Sequence, residues 1–269
     1  MATADHAIAR RLASFRERRA RWIQPACHLL SLALLVGTWQ AIGNDFGILF
    51  VPFTKTMETL VALMENGSIP AALLVSGKIY VLTLVIDVVL GIAVGLMLAR
   101  IRWFAAAWEP YVYLLYTTPT VALVPLAFTI FGFGTGPQTL IAVIISVFPV
   151  VFGVMEGTRS IPRQYLDVAT SYGSSESQLW RDVVMPYVTP FVMTGVRQTI
   201  ALALVGTLVA EFFLNTVGIV GLLAEGATEM NPSQVLAVTV VVSLIAIVLV
   251  GVGELIERAL VPWRYETVG

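Results

Sequence analysis

Few residues in this 269-residue sequence could carry covalent chemistry. Two histidines, His6 and His28, cannot make a His-rich metal site, and a single cysteine, Cys27, excludes an intrachain disulfide. No nucleophile–base pair and no metal cluster stands out, so neither a catalytic residue nor a metal ligand is expected. The G-x-x-x-x-G-K-[ST] pattern is missing, and Gly77-Lys78 is not part of one, so ATP binding in the P-loop manner is not expected. What remains is charge set into long apolar runs: Lys78, Asp87, Arg197 and Glu211. A buried charge needs a partner or water. Arg197 is one candidate partner for Asp87, with an anion path lined by Arg197 as the alternative. Glu211 fits a structural pairing or an outer-end position near Asn215, and equally a gate or solute-path role. Thr117, Thr118, Thr120 and Thr129 add hydroxyls beside Pro119 and Pro125, although a Thr in such a run more often bonds its own backbone.

The surroundings of these residues define the solvent. Hydrophobic residues make up 58% of the chain and charged residues 12%, with mean hydropathy +0.86. An ordinary soluble domain carries about 25% charged residues. A lipid bilayer accommodates the excess apolar surface. Six runs have the roughly 20 apolar residues that a spanning helix needs: about 23–43, 73–99, 109–131, 137–156, 188–214 and 235–258. The breakers Phe131-Gly-Phe-Gly-Thr-Gly-Pro137 predict a tight hairpin between the third and fourth. Pro119 and Pro125 predict a kink or a half-helix end within the third. Gly91 and Gly95 predict a close helix approach, within the subunit or at a dimer contact.

Orientation follows from the basic residues, which stay on the cytoplasmic side. With the N-terminus inside, the inner segments hold Arg10, Arg11, Arg16, Arg18, Arg19, Arg21, Arg100, Arg102, Arg159, Arg163, Arg181, Arg258 and Arg264. These are 13 of the 16 basic residues, and Lys55 alone lies in an outer loop. Trp22, Trp103, Trp108 and Trp263 sit near proposed span ends, as interfacial rings do. The expected organisation is a basic cytoplasmic tail (1–22), a six-helix membrane domain (23–258) and a cytoplasmic C-terminal tail (259–269), N-in and C-in. The N-terminus lacks the pattern of a cleavable signal peptide. An outer stretch, Thr54 to Asn66, places Met57, Leu60, Val61 and Met64 on one helical face and predicts a surface helix at the outer interface.

The longest cytoplasmic stretch, about 157–187, encodes helix, turn, helix. Pro162 can start the first helix, which carries Leu166, Ala169 and Thr170 on one face, and Gly173 ends it in the left-handed conformation. Ser175-Glu-Ser-Gln178 is a capping box that starts the second. That helix has Leu179, Trp180, Val183 and Val184 on its apolar face, and Pro186 is expected to break the chain before the fifth span. A bare loop would connect two spans more simply.

This stretch resembles the EAA loop of binding-protein-dependent ABC permeases: E-A-A, three residues, Gly, nine residues, I-x-L-P. Here the series is Asp167-Val168-Ala169, three residues, Gly173, nine residues, Val183-Val184-Met185-Pro186. Asp replaces Glu, Val replaces Ala, Val replaces Ile and Met replaces Leu. Pro186-Tyr-Val-Thr-Pro190 through Arg197, Ala210-Glu211, Pro119 to Leu126, Phe131-Gly132-Phe-Gly134, Gly91 to Gly95 and Val261-Pro262-Trp263 resemble further patterns of the nitrate/sulfonate/taurine-type group.

The resemblance implies an all-α integral membrane fold and a permease subunit of an ATP-binding-cassette importer in the bacterial inner membrane, without enzymatic activity of its own. It implies two ATPase subunits carrying ATP and magnesium, a second permease subunit, identical or related, and an extracytoplasmic solute-binding protein. No nucleic-acid partner and no cofactor in this chain are expected. It places the ATPase-coupling surface at Asp167, Val168, Ala169, Gly173, Leu179, Trp180, Val183, Met185 and Pro186. Candidate path residues are Thr117, Thr118, Pro119, Pro125, Arg197 and Glu211. The solute is a small compound of the nitrate, sulfonate or taurine kind. Two rival classes are a secondary transporter or channel working without an ATPase, and a membrane enzyme. No sequence repeat between the halves supports the former.

Overall fold

The computed structural model describes residues 26–45, 50–214 and 218–262, which are helical throughout apart from short connections. The basic tail, Trp22, Asn215, Trp263 and Arg264 lie outside the described residues. The helices are α1 (Ala26–Asp45), α2 (Phe53–Glu65), α3 (Ser68–Arg100), α4 (Arg102–Thr117), α5 (Val124–Phe131), α6 (Thr135–Ser146), α7 (Phe148–Arg159), α8 (Arg163–Ser171), α9 (Glu176–Leu179), α10 (Met185–Leu214), α11 (Ile219–Thr228) and α12 (Pro232–Leu260). A 3₁₀ turn, Thr120–Leu123, precedes α5, and a π turn, Trp180–Val184, precedes α10.

Among the described residues, five helices are long and apolar enough to cross a bilayer: α1, α3, the joined α6–α7, the unit Glu176–Phe213, and α12. The sixth crossing is broken. α4 and the Thr120–Phe131 unit meet at 90°. The third span therefore begins at Arg102 rather than near 109 and bends at Pro119, whose ring removes a helical N–H. Pro125 stands in the first turn of α5, where a proline is tolerated. Arg159, at the end of α7, hydrogen-bonds Leu98 near the end of α3 and Glu109 in α4. The starts of α4 and the end of α7 thus share one face of the membrane. α6–α7 is long enough to run from that face to the opposite one, so the α4–α5 pair, which ends where α6 begins, crosses once and does not double back. The predicted hairpin follows, with Gly132 and Gly134 at φ 77° and 146°.

Small residues set the helix spacing. A Cβ on Gly91 would lie 2.6 Å from the Val150 Cβ, and one on Gly95 would lie 2.7 Å from the Val154 Cβ. The pair is therefore a packing contact between α3 and α7 of the same chain. Gly195 meets the Pro149 carbonyl and Gly206 meets Ala142, which brings α10 onto α7 and α6. An outer core of Ile69, Ala72, Ile219, Val220, Val238 and Val241 joins α3, α11 and α12. α2 packs on it through Leu60 and Leu63, while Val61 and Met64 face outward. The outer surface helix therefore exists, but half of its expected interfacial face is turned onto the protein. Trp103 and Trp108 are exposed in the first half of α4, as interfacial rings would be.

Candidate functional site

The cytoplasmic loop folds as its local chemistry dictates. Pro162 precedes α8 as its N-cap, one position before its expected place. At the far end Gly173 takes φ 77°. Its N–H donates to the Thr170 carbonyl at 2.9 Å, and the Ser174 N–H donates to the Ala169 carbonyl at 3.1 Å. These are the two bonds of a Schellman cap, and Ala169 of the motif supplies one acceptor. Ser175 and Gln178 then close the capping box: the Ser175 N–H donates to Gln178 Oε1 at 2.8 Å, and the Gln178 N–H donates to Ser175 Oγ at 3.4 Å. The Schellman cap and the capping box follow each other directly, so the pair is a stiff unit.

Pro186 does not break the chain. α9, the π turn and α10 form one continuous unit, Glu176–Phe213. The Met185 N–H reaches back five residues to the Trp180 carbonyl. That wider register absorbs the N–H that Pro186 lacks. The loop is consequently an extension of a spanning helix, not a segment hinged to it by a gap.

The expected coupling residues fall on two sides. Asp167 and Val168 point outward, with Val168 55% and Tyr172 88% exposed. Met185 and Pro186 are also exposed. Leu179, Trp180 and Val183 are half-buried against the chain itself, and Val184 is buried. Arg100, the last residue of α3, ion-pairs with Glu176 and places its guanidinium carbon 4.9 Å from the Trp180 ring centre. The Arg100 contact was not read from the sequence; only the basic end of α3 marked it.

The expected Asp87–Arg197 pair does not form. Asp87, fully buried, accepts from Ser146 Oγ at 2.6 Å. Thr199 Oγ1 donates to the Ser146 carbonyl at 2.9 Å, and Tyr80 donates to the Ile200 carbonyl at 3.2 Å. The knot joins α3, α6 and α10. Arg197 turns to α12 instead, 3.5 Å from Glu257 and 3.9 Å from Glu254. The helix rotation that buries Asp87 on α6 leaves Arg197 on the opposite flank of α10. The carboxylates of Glu254 and Glu257 are its partners there.

Glu211 is 1% exposed and caps a short helix. Its Oε2 accepts from the Val220 N–H at 3.3 Å, at the start of α11, where the helix dipole favours a negative charge. Ser76 faces the same carboxylate and accepts from the Ile219 N–H at 2.8 Å. Thr117, Thr118 and Thr129 bond their own helices, at 3.0, 2.7 and 2.8 Å. Of the candidate path residues, Arg197 and Glu211 stand about 21 Å apart along α10 at 1.5 Å per residue, whereas α5, which carries Pro125, packs on Ala210 beside Glu211. Lys78 is exposed on α3. A 530 Å³ cleft between the α5 turn, α10, α11 and α12 is almost wholly apolar, with Thr239 and Ser243 its hydroxyls.

These features define a multi-span helical membrane protein whose longest connection is a capped helix pair continuous with a span. The comparisons with known proteins make that class specific. Residues 87–264 match the family described as binding-protein-dependent transport system inner membrane component. The riboflavin transport system permease protein RibX of Chloroflexus aurantiacus is 32% identical over 62% of each chain. The formylaminopyrimidine transport permease protein ThiX of Halalkalibacterium halodurans is 26% identical over 92% of this chain and 98% of its own. The putative aliphatic sulfonates transport permease protein SsuC of Bacillus subtilis is 24% identical over 88% and 87%. In fold, a chain of the MetNI methionine ABC transporter in an inward-facing conformation matches 71% of this chain and 95% of that one, with TM-score 0.57 and 16% identity. The chain belongs to the binding-protein-dependent transport system inner membrane component family, the inner-membrane permease subunits of ABC importers.

Proposed function

We propose that the capped loop from Arg163 to Pro186 is where a separate ATPase docks, and that ATP-driven motion enters the spans through it. One observation carries this reading. Val168 and Tyr172 expose apolar surface on a stiff helix pair, and the basic residues Arg159, Arg163 and Arg181 around it argue for the cytoplasmic side. Lipid cannot cover them there, so a protein surface is the remaining cover. Because the π turn continues α9 into α10, a push on the pair travels along a spanning helix. ATP and magnesium belong to the partner, two ATPase subunits serving two permease subunits, and an external binding protein delivers the solute.

For the solute, the named relatives point to a small organic compound, such as a sulfonate or a neutral heterocycle. Pairing of Arg197 with Glu257 and the apolar cleft favour the heterocycle over a bare inorganic anion. The test is co-purification with the cognate ATPase, then uptake of labelled solute into proteoliposomes. Val168→Asp is expected to release the ATPase and stop ATP-dependent uptake. Solute flux through this chain alone, without ATP, would overturn the reading in favour of a secondary transporter or channel.

A further inference from the structure

We propose that Arg100 is a positioning residue that clamps the joint between the cytoplasmic loop and α10, making the end of α3 and the loop move as one body. The inference rests on reading the loop as the ATPase docking element. Two partners converge on Arg100. Glu176, the first residue of α9, ion-pairs with it, and Trp180, the first residue of the π turn, lies under its guanidinium with the Cζ 4.9 Å from the ring centre. The two are four residues apart, so they share one face of the loop helix. The grip therefore falls where α9 passes into the π turn.

That place is mechanically special. A π turn has a widened, poorer hydrogen-bond register, and such turns mark functional sites. Here it is the sole departure from α-geometry between the loop and the span it continues. Without a lateral tie, force applied to α8 and α9 would flex the π turn instead of moving α10. Arg100 supplies the tie from a second span. The charges on both sides are well exposed, 54% for Arg100 and 70% for Glu176. An exposed ion pair adds little global stability, so removing it should loosen the joint without unfolding the protein. Arg suits this position better than Lys, because its planar group stacks on an aromatic face while forking to a carboxylate.

The test uses the permease in nanodiscs, alone and assembled with its ATPase and binding protein, with Mg-ATP as the probe. Arg100→Gln is expected to speed amide exchange across Trp180–Val184 about 5-fold in the permease alone. Its melting temperature should stay within about 2 °C of wild type. In the assembled complex it should reduce stimulation of ATP hydrolysis by the binding protein by roughly 5-fold, with the ATPase still bound. Arg100→Lys should recover part of both effects, and Arg100→Glu combined with Glu176→Arg should recover the exchange protection. Unchanged exchange in Arg100→Gln would overturn the clamp. If the wild-type chain fails to retain the ATPase, the docking reading fails, and the exchange measurement still decides the clamp.

Discussion

Arg159 grips Glu109 with both terminal nitrogens, at 2.9 and 2.8 Å, and its Nη2 also donates to the Leu98 carbonyl at 3.2 Å. One side chain on α7 thus fixes the last turn of α3 and the middle of α4. Its position sets the sidedness of the broken third span. The fork geometry needs an arginine. Half-exposed ion pairs of good geometry contribute about 1 kcal/mol. Arg159→Lys should therefore lower the melting temperature in detergent by about 3 °C, and Arg159→Ala by more, since Leu98 loses a donor too. A Lys variant as stable as wild type would show that charge alone suffices.

The buried knot makes a second prediction. Ser146→Ala removes the donor to Asp87 and leaves a buried carboxyl group without its bond, which costs about 1–3 kcal/mol. Asp87→Asn keeps an acceptor for Ser146 and removes a chargeable group from the membrane interior, so it should fall within about 1 kcal/mol of wild type. Thermal unfolding of the two variants in one detergent separates them. Equal losses would mean that the Asp87 carboxylate itself, not its hydrogen bond, holds α3 to α6.

Gly173 has open space around it: a Cβ built there meets nothing within 4 Å. Only its φ of 77° resists a side chain. Gly173→Val should cost about 1–2 kcal/mol locally, and Gly173→Asn less, because Asn tolerates the left-handed region. Membrane insertion should be normal in both. Uptake in the assembled transporter should fall steeply for Val and mildly for Asn, while ATP hydrolysis persists. Normal uptake by the Val variant would show that the turn need not be stiff.

Gly95 resists substitution for a different reason. Its conformation is ordinary, but a Cβ would come within 2.8 Å of the Val151 carbonyl oxygen and 2.7 Å of the Val154 Cβ. Backbone cannot step aside as a side-chain tip can, so Gly95→Ala should destabilise by about 1–3 kcal/mol. Gly77, on the same helix, meets nothing within 4 Å. Gly77→Ala should be neutral or stabilising by up to about 1 kcal/mol. Yields and melting temperatures of the two single variants compare contact with propensity directly.

What could be read in advance was local. The Gly173 cap and the Ser175–Gln178 box are written in neighbouring residues, so the loop's helix–turn–helix was legible. So were the span positions, because apolar length is local too, and the glycine hairpin after Phe131. What escaped depends on rotation and register between helices. Asp87 demanded a partner, but Ser146 could not be preferred to Arg197 without knowing which flank of α10 faces α3. Pro186 was ambiguous in another way: a missing N–H can end a helix or be absorbed by a π turn, and only the packing of Val184 and Val188 into the bundle favours continuation. The 90° turn at Pro119 is the opposite case, where no buried residue of α4 holds the helix straight.

Glu211 separates a structural role from a path role. Its carboxylate meets the N-terminus of α11, where Gly218, at φ 89°, leaves no room for a side chain beside Oε1. Such a cap depends on an acceptor at the helix start more than on full charge. Glu211→Gln retains an acceptor and should lose less than about 1 kcal/mol, whereas Glu211→Ala leaves buried donors unmet and should lose about 1–3 kcal/mol. Uptake by the Gln variant in proteoliposomes with the cognate ATPase and binding protein should stay within about twofold of wild type, a change worth under 1 kcal/mol. A Gln variant that folds normally but carries no solute would instead make the charge itself part of the path.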